Sequence, residues 1–411
     1  MDIQEQLAFL RAKVQAIQSR DALPAPPRSL AFVEELLSGE VRETAFGQHF
    51  ETEKLYPDTH RHGCVNVQDL RQLAPDLLLA VSEGAVPECH PERWAFLDTE
   101  TTGLAGGSGT YAFLVGIGSI DCDGFRVRQF FMRDYSEEAS QLAAVAQYLE
   151  RFDVLITYNG KSYDQPLLET RFRMCRARHP FERLSHLDLL YGARRLWKRR
   201  MENCKLTYLE REVLGVEREG DVPGSLIPYL YFEFVRTRRA ARLLPVFHHN
   251  VLDIVSLACL TAIVPEAYRN PETVPVRHGS DLLGLARWLV QVERPEQALL
   301  LMERAMAIGL PDEQLFPALL DAGLLRKKLG LWAEAIQNFT DLTLCRNPCR
   351  VRASEELAKY YEHRERNWAM ALEMTLGALA YQDTPELRAR ETRLRGRISR
   401  RPAKLKLTAG V

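Results

Sequence analysis

The sequence predicts an α/β domain, a mixed sheet flanked by helices, followed by an all-α helical-repeat domain. Three observations predict it. Between Trp94 and Phe131, three short runs are apolar throughout or alternate with period two, as strands do. Strand-like and helix-like runs then alternate as far as Val264, the order expected of a sheet covered by helices. Beyond that, Ala298, Ala335 and Ala371 recur at intervals of 37 and 36 residues in matching contexts.

Composition narrows the function classes. The 411 residues are 46% hydrophobic and 27% charged, a globular balance. Fifty-four basic and 55 acidic residues leave a net charge of −1, which excludes a generally cationic nucleic-acid coat but not a local basic groove. No apolar run reaches the ~18 residues of a membrane span; the best, Ile254–Val264, is interrupted by Ser256 and Thr261. The start, Met-Asp-Ile-Gln-Glu, lacks the features of a signal peptide. Eight cysteines lie singly along the chain, so a reducing cytoplasm and no membrane are expected.

In chain order, Ile3, Leu7, Leu10, Val14 and Ile17 form a heptad stripe, hence an amphipathic helix ending before the proline-rich 23–27. A short helix is expected near Leu30–Leu37. Residues 1–90 otherwise read as an irregular extension. His60, His62, Cys64, Cys89 and His90 fall there, but their spacing matches no standard zinc pair. Trp94–Leu97, Ala112–Ile120 and Phe125–Phe131 are the strands, with Gly124 turning the hairpin between the last two. A helix follows from Ser136 to about Arg151, a buried strand over Asp153–Tyr158, and a helix from about Ser162 to Arg173. His186–Leu190 is a further strand or the start of a helix. Pro265, Pro271 and Pro275 mark a linker. The domains are thus 1–90, 91–268, a repeat region over 276–385, and a basic tail over 386–411 whose end is expected to be disordered. The small residues at the repeat positions resemble a degenerate tetratricopeptide array, with Ala305, Leu342 and Ala378 seven residues after each alanine.

Three acidic signals carry the chemistry. Asp98 and Glu100 lie two apart at the end of an apolar strand, so they share a face and repel one another. A hard divalent cation is the usual neutraliser, and a solvated Thr-rich loop is the alternative. Asp164 lies in Tyr158–Asp164, in the first turn of the next helix, where a carboxylate also suits the helix dipole. Asp253 lies among Leu252, Ile254 and Val255 in an apolar helix, and a buried acid needs partners. His249 stands four before it and shares its helix face; His248 stands five before and is expected outside the helix.

Together these motifs resemble the DEDD exonucleases of the ribonuclease H-like superfamily. Asp98 and Glu100 match the first motif, Asn159 to Asp164 the second, and Asp253 with its preceding histidines the third. The stretch from Asp98 to Gly118, with the glycine-rich 103–109 inside it, looks like the YprB family of bacterial predicted exonucleases. Cys204–Leu206, Leu214-Gly215, Asp221–Gly224 and Leu357–His363 fit that family too. The resemblance spans about residues 90–385 and implies a ribonuclease H-like α/β domain. It implies two Mg2+ or Mn2+ ions held by Asp98, Glu100, Asp164 and Asp253, and nucleotides removed from a 3′ end. Two metals about 3.5–4 Å apart clamp the attacking and leaving oxygens of such a displacement. The family's histidine five before the last Asp corresponds to His248 and its tyrosine four before to His249; a base's need for freedom favours His248, helix geometry His249. Thr101, Gly103, Leu104, Asn159 and Tyr163 are the expected contacts to a terminal nucleotide, Leu104 as a wedge.

Basic groups at Arg171–Arg178, Arg194–Arg200 and Arg236–Arg242 are candidate phosphate contacts or solvated helix faces. The reading is a metal-dependent nuclease acting on DNA or RNA, with a possible protein partner on the repeats. An inactive nuclease fold serving as a scaffold, or an endonuclease of the ribonuclease H type, are the alternatives.

Overall fold

The computed structural model describes residues 32–103, 109–273 and 278–400. The N-terminal heptad helix, Leu104 and the chain end lie outside them. The chain divides into two compact units, one of residues 1–72, 90–186 and 214–258, the other of 73–89, 187–213 and 259–411.

The first unit is organised by a seven-stranded sheet of order β1-β2-β7-β6-β5-β8-β9. Its strands are β1 (Gly39–Thr44), β2 (Gly47–Pro57), β5 (Trp94–Thr101), β6 (Ala112–Asp121), β7 (Gly124–Phe131), β8 (Val154–Thr157) and β9 (Ser185–Asp188); the two-residue β3 (Arg61–His62) and β4 (Val65–Asn66) pair separately. β5 runs parallel to β8 and antiparallel to β6, so the sheet is mixed. The expected strands and their order are present. The reading of 1–90 as irregular is corrected, because β1 and β2 extend the sheet along β7. Their pattern hides this: β2 presents Glu53 to Arg128 and Arg126 of β7, so charge pairing fills places that apolar alternation would announce.

Helices cover both faces. On one, α1 (Glu138–Leu149) and α2 (Asp164–Met174) place Leu142, Val145, Leu149, Leu168 and Phe172 against Leu97, Val115, Ile117 and Phe130. A buried ion pair, Arg171 to Glu138 at 2.5 and 2.6 Å, joins these two helices, so Arg171 is structural rather than a phosphate contact. After β9 comes α3 (Leu189–Trp197), in the second unit. On the other face of the sheet, α4 (Ile227–Thr237) and the start of α5 (Leu244–Arg269) bury Tyr231, Phe234, Val246 and Phe247 against Phe113, Leu114 and Phe131. Tyr231 stacks on Phe113 at 4.0 Å and donates to Met132 O.

α5 corrects two expectations. It starts at Leu244, so His248 lies inside it, and it runs through Pro265, so the linker begins later than that proline. By length and composition α5 is also long and apolar enough to cross a membrane, unlike the shorter run read from the sequence. In the fold, 72% of its most apolar stretch is buried inside the protein.

In the second unit, α6 (Gly279–Gln291), α7 (Pro295–Ile308), α8 (Asp312–Lys328), α9 (Trp332–Leu344), α10 (Arg350–His363), α11 (Trp368–Leu379) and α12 (Pro385–Ser399) follow in succession, the first six as hairpin pairs. The repeated small positions explain the pairing. Ala298, Ala335 and Ala371 are fully buried at the start of α7, α9 and α11, and Ala305, Leu342 and Ala378 repeat this two turns on. Small side chains there let the paired helices approach closely.

The described part of the basic tail is α12, which buries Leu387 and Leu394. Arg393, Arg390 and Arg397 converge on Glu362 of α10, at 2.9, 3.1 and 3.4 Å. The Glu362 side chain is fully buried. Burial alone would raise its pKa, but Arg393 and the charges of His363 and Arg390 hold it below the usual 4.5. A carboxylate depressed on folding contributes stability above the unfolded value, and this is lost as pH falls through the folded one. Glu362→Gln is therefore expected to cost about 1.5–3 kcal/mol near neutral pH. The difference from the parent should shrink below about pH 4.5, as read by thermal melts at both pH values.

Candidate active site

The site forms where three elements of the first unit meet at the end of β5. Register across the sheet sets its floor. Asp98 of β5 lies opposite Gly116 of β6, which lies opposite Gln129 of β7. The middle residue has no side chain, and Asn250 of α5 takes the space. Asn250 donates to Asp98 Oδ2 at 2.8 Å, while its Oδ1 accepts from Gln129 Nε2 at 2.8 Å. Gln129 also donates to Phe247 O at 2.9 Å. One buried chain of hydrogen bonds thus ties Asp98 to the helix and to β7. A Cβ on Gly116 would lie 2.2 Å from Asn250 Oδ1 and 2.4 Å from Ile254 Cδ1.

The acids read from the sequence are brought together. Burial, then the charges of Asp253 and Asp164, pushes the Asp98 carboxyl well above its usual range, against the pull of Asn250 and Arg218. Burial, then Asp98, Asp253, Asp164 and Asp221, does the same to Glu100. Such a cluster is poorly neutralised by the protein itself. Asp164 opens α2 as expected, and its Oδ1 accepts from Thr99 Oγ1 at 2.5 Å. Asp253 lies one turn after His249, whose Nε2 is 3.7 Å from its Oδ2.

Two residues absent from the sequence-derived set complete the cluster. Arg218 forms ion pairs with Asp253 and, at 3.0 Å, with Asp221. Asp221 Oδ1 lies 2.7 Å from His249 Nδ1. Burial opposes the charge on Asp221, but His249 and Arg218 outweigh it and hold its pKa down to about 2. Burial opposes charge on His249 too; the Asp221 hydrogen bond and the Asp253 charge overcome it, so its pKa is raised. The only signal for Asp221 was its place in Asp221–Gly224; for Arg218 there was none, since a loop residue declares no partner in the sequence.

His248 keeps an exposed face, but partial desolvation of its ring and the nearby Lys54 lower its pKa against the pull of Asp221. The two histidines therefore differ: His249 is engaged between carboxylates, whereas His248 is biased to the neutral form. Thr101 Oγ1 donates to Gly103 O at 2.8 Å, bending the chain just after β5. Asn159 adopts a left-handed backbone (φ 68°), and Tyr163, just ahead of α2, is exposed.

A hard divalent ion fits the chemistry of this donor set, four converging carboxylates with two of them strained by mutual repulsion. Among the described residues, no three His, Cys, Asp or Glu side chains are arranged to hold an ion, and Arg218 engages Asp253 instead. Of the histidines and cysteines of 60–90, His62 hydrogen-bonds Ser256 at 2.7 Å and Cys64 is exposed. In the second basic group, Trp197 is buried and Arg200 is paired with Asp281 at 2.9 Å, so neither is available to phosphate. In the third, Arg238 pairs with Asp134 and Arg242 with Glu233.

A family model described as RNase H superfamily matches residues 95–264, the span that holds all four acids and both histidines. That superfamily supports a nuclease that acts on nucleic acid, and its members generally use divalent metals. The uncharacterized protein YprB of Bacillus subtilis strain 168 is 33% identical over 359 residues, 84% of this chain and 85% of the relative. With that likeness running through nearly the whole of both proteins, the chain belongs to the YprB family and carries an RNase H superfamily domain within it.

Proposed function

We propose that this chain is a metal-dependent 3′–5′ exonuclease of the DEDD type, hydrolysing phosphodiester bonds in DNA or RNA. The convergence of Asp98, Glu100, Asp164 and Asp253 from a strand end and two helices carries the reading. These four would hold two Mg2+ or Mn2+ ions. Bound there, the ions would supply Lewis-acid stabilisation of the phosphoryl oxygens and of the attacking water. The protein's own groups do the rest. Asn250 and Gln129 hold Asp98 in one orientation. Arg218 balances the carboxylates and, on exchanging Asp253 for substrate, offers a phosphate contact. Thr101, Gly103, Leu104, Asn159 and Tyr163 receive the terminal nucleotide.

His248 suits the general base, because a neutral imidazole is what proton abstraction requires. His249, held by Asp221, acts as a positioning and charge-balancing residue. His248→Ala is expected to lower kcat by about 10²-fold with an unchanged melting temperature. His249→Ala should also destabilise the protein, since it leaves Asp221 without its imidazole partner. Steady-state kinetics beside thermal melts check both. The helical hairpins are proposed to be tetratricopeptide-like and to dock a protein partner. Eight cysteines scattered singly along a chain of this length support a reducing, cytoplasmic compartment.

The test is incubation with Mn2+ or Mg2+ and 5′-labelled single-stranded DNA or RNA, beside an Asp98→Asn control. A ladder shortening from the 3′ end, absent in the control, supports the reading and selects the sugar. A single internal cut would make the protein an endonuclease. No metal-dependent product on single strands, duplex or hybrid would make it a scaffold.

A further inference from the structure

A groove of about 840 Å³ opens on the second unit, well separated in sequence from the acids of the candidate site. One wall is α3 and the turn that follows it. Leu190, Ala193, Leu196 and Trp197 are the buried face of that helix. Tyr191, Arg194, Arg195 and Lys198 recur at i, i+3, i+4 and i+7 and so share another face, which lines the groove. Arg199 and Arg287 add two more cations, against Glu313 as the sole acid among the lining residues. The cations are held close by the packing. Gly284 of α6 sits where a Cβ would lie 2.3 Å from Arg195 O, and Gln314 donates to Arg199 O at 3.0 Å.

Much of this charge is unmatched. Arg195 pairs with Glu83 at 2.7 Å and Arg287 with Asp321 at 3.0 Å. Among the described residues, no carboxylate lies within ion-pair distance of Arg194, Lys198 or Arg199, though the charge of Asp321 reaches Arg199. Partial burial and the repulsion of Arg287 hold the Arg199 pKa below the usual value, against the pull of Asp321. An anion in the groove would relieve both. Tyr191, 48% exposed, stands beside these cations as an aromatic platform. From Tyr191 to Lys198 the helix rises about 10 Å at 1.5 Å per residue, long enough for more than one backbone phosphate to lie along it. A stretch of spaced cations beside an open ring is the combination that binds a strand of nucleic acid, phosphates on the cations and a base on the ring. An acidic peptide would use the charges but not the ring.

We propose that this groove binds single-stranded nucleic acid, with Arg194, Lys198 and Arg199 on the phosphates and Tyr191 stacked on a base. The inference rests on the nuclease reading for its substrate class, yet it is tested without cleavage. Fluorescence anisotropy of the full chain with a labelled 20-nucleotide oligo(dT) or oligo(U), in chelator, measures binding alone. Replacing Arg194, Lys198 and Arg199 together by Ala should weaken binding 10- to 100-fold at moderate salt. It should also flatten the plot of log affinity against log salt by about 2, at ~0.7 per phosphate contact on single strands. Tyr191→Ala should weaken it about tenfold with no change of slope. All these side chains are largely exposed, so melting temperatures should stay put; if the triple variant melts early, Tyr191→Ala alone decides. Unchanged affinity and slope would overturn the proposal. So would polyglutamate competing as well as oligonucleotide with no effect of Tyr191→Ala, which would point to an acidic protein. Groove-dependent binding without any cleavage in Mn2+ would leave the groove standing and remove the nuclease reading; cleavage with normal binding by the variants would do the reverse.

Discussion

Asp98→Asn is expected to reduce nuclease turnover by at least about 10³-fold while making the metal-free protein more heat-stable. The loss follows from the position of Asp98 at the centre of the cluster, where burial and the charges of Asp253 and Asp164 bear on it most directly. Removing a carboxylate that would hold both ions forfeits several kcal/mol of transition-state stabilisation, and each ~1.4 kcal/mol is tenfold in rate. The gain in stability follows from the same charges. Asn keeps the shape, can still face Asn250, and deletes one of the repelling negative charges that press on Glu100. The variant should also lose its response to metal. An ion binding only the folded parent at 100 times its Kd adds about 2.7 kcal/mol, so Mn2+ should raise the parent's melting temperature and leave the variant's nearly unchanged. Differential scanning fluorimetry with and without Mn2+, beside the cleavage assay, reads all of this. A variant that still cleaves, or an unchanged metal-free melt, would remove Asp98 from the centre of the site.

Gly116→Ala should cripple both fold and site, whereas Gly118→Ala should harm the fold alone. Both glycines lie under α5. At position 118 an added methyl would lie 2.5 Å from Phe125 Cζ and 2.6 Å from Ile254 Cγ2. At position 116 it would strike Asn250 Oδ1 at 2.2 Å. Overpacking costs about 1–3 kcal/mol at either place. At Gly116 there is a further loss: Asn250, fully buried, is pushed off Asp98 and Gln129, and each buried polar group left without a partner costs about 1–3 kcal/mol. Both variants should melt early. Among protein that remains folded, only Gly116→Ala should show a large fall in kcat. Equal kcat in the two variants would show that the Asn250 bridge does not position Asp98.

The acids were legible because each carries a local signature. An apolar strand that ends in Asp-x-Glu, and an Asp in an apolar helix, are costly unless something compensates, so Asp98, Glu100 and Asp253 stand out in one dimension. Asn250, Gln129, Arg218 and Thr99 carry no such signature. They are ordinary polar residues whose importance arises only when β7, α5, the 215–226 segment and β5 meet. The β1–β2 hairpin was hidden for a related reason: a strand held to its neighbour by Glu–Arg pairs, as β2 is to β7, does not announce itself through hydrophobic alternation.

By itself, then, the sequence determined the class of fold, the run of strands before helices, the helical hairpins and the four acids. These depend on periodicity and burial of single residues, which are local properties of the chain. Tertiary structure alone decided which histidine is clasped and which is open. Its pairings hold His249 against Asp221 and leave His248 exposed. It also separated structural arginines from uncommitted ones. Arg171 and Arg200 are bound to buried carboxylates, while Arg194, Lys198 and Arg199 line a groove with no carboxylate at ion-pair distance from them. A charged side chain's role is set by what lies across from it, and that neighbour is chosen by the fold rather than by its place along the chain.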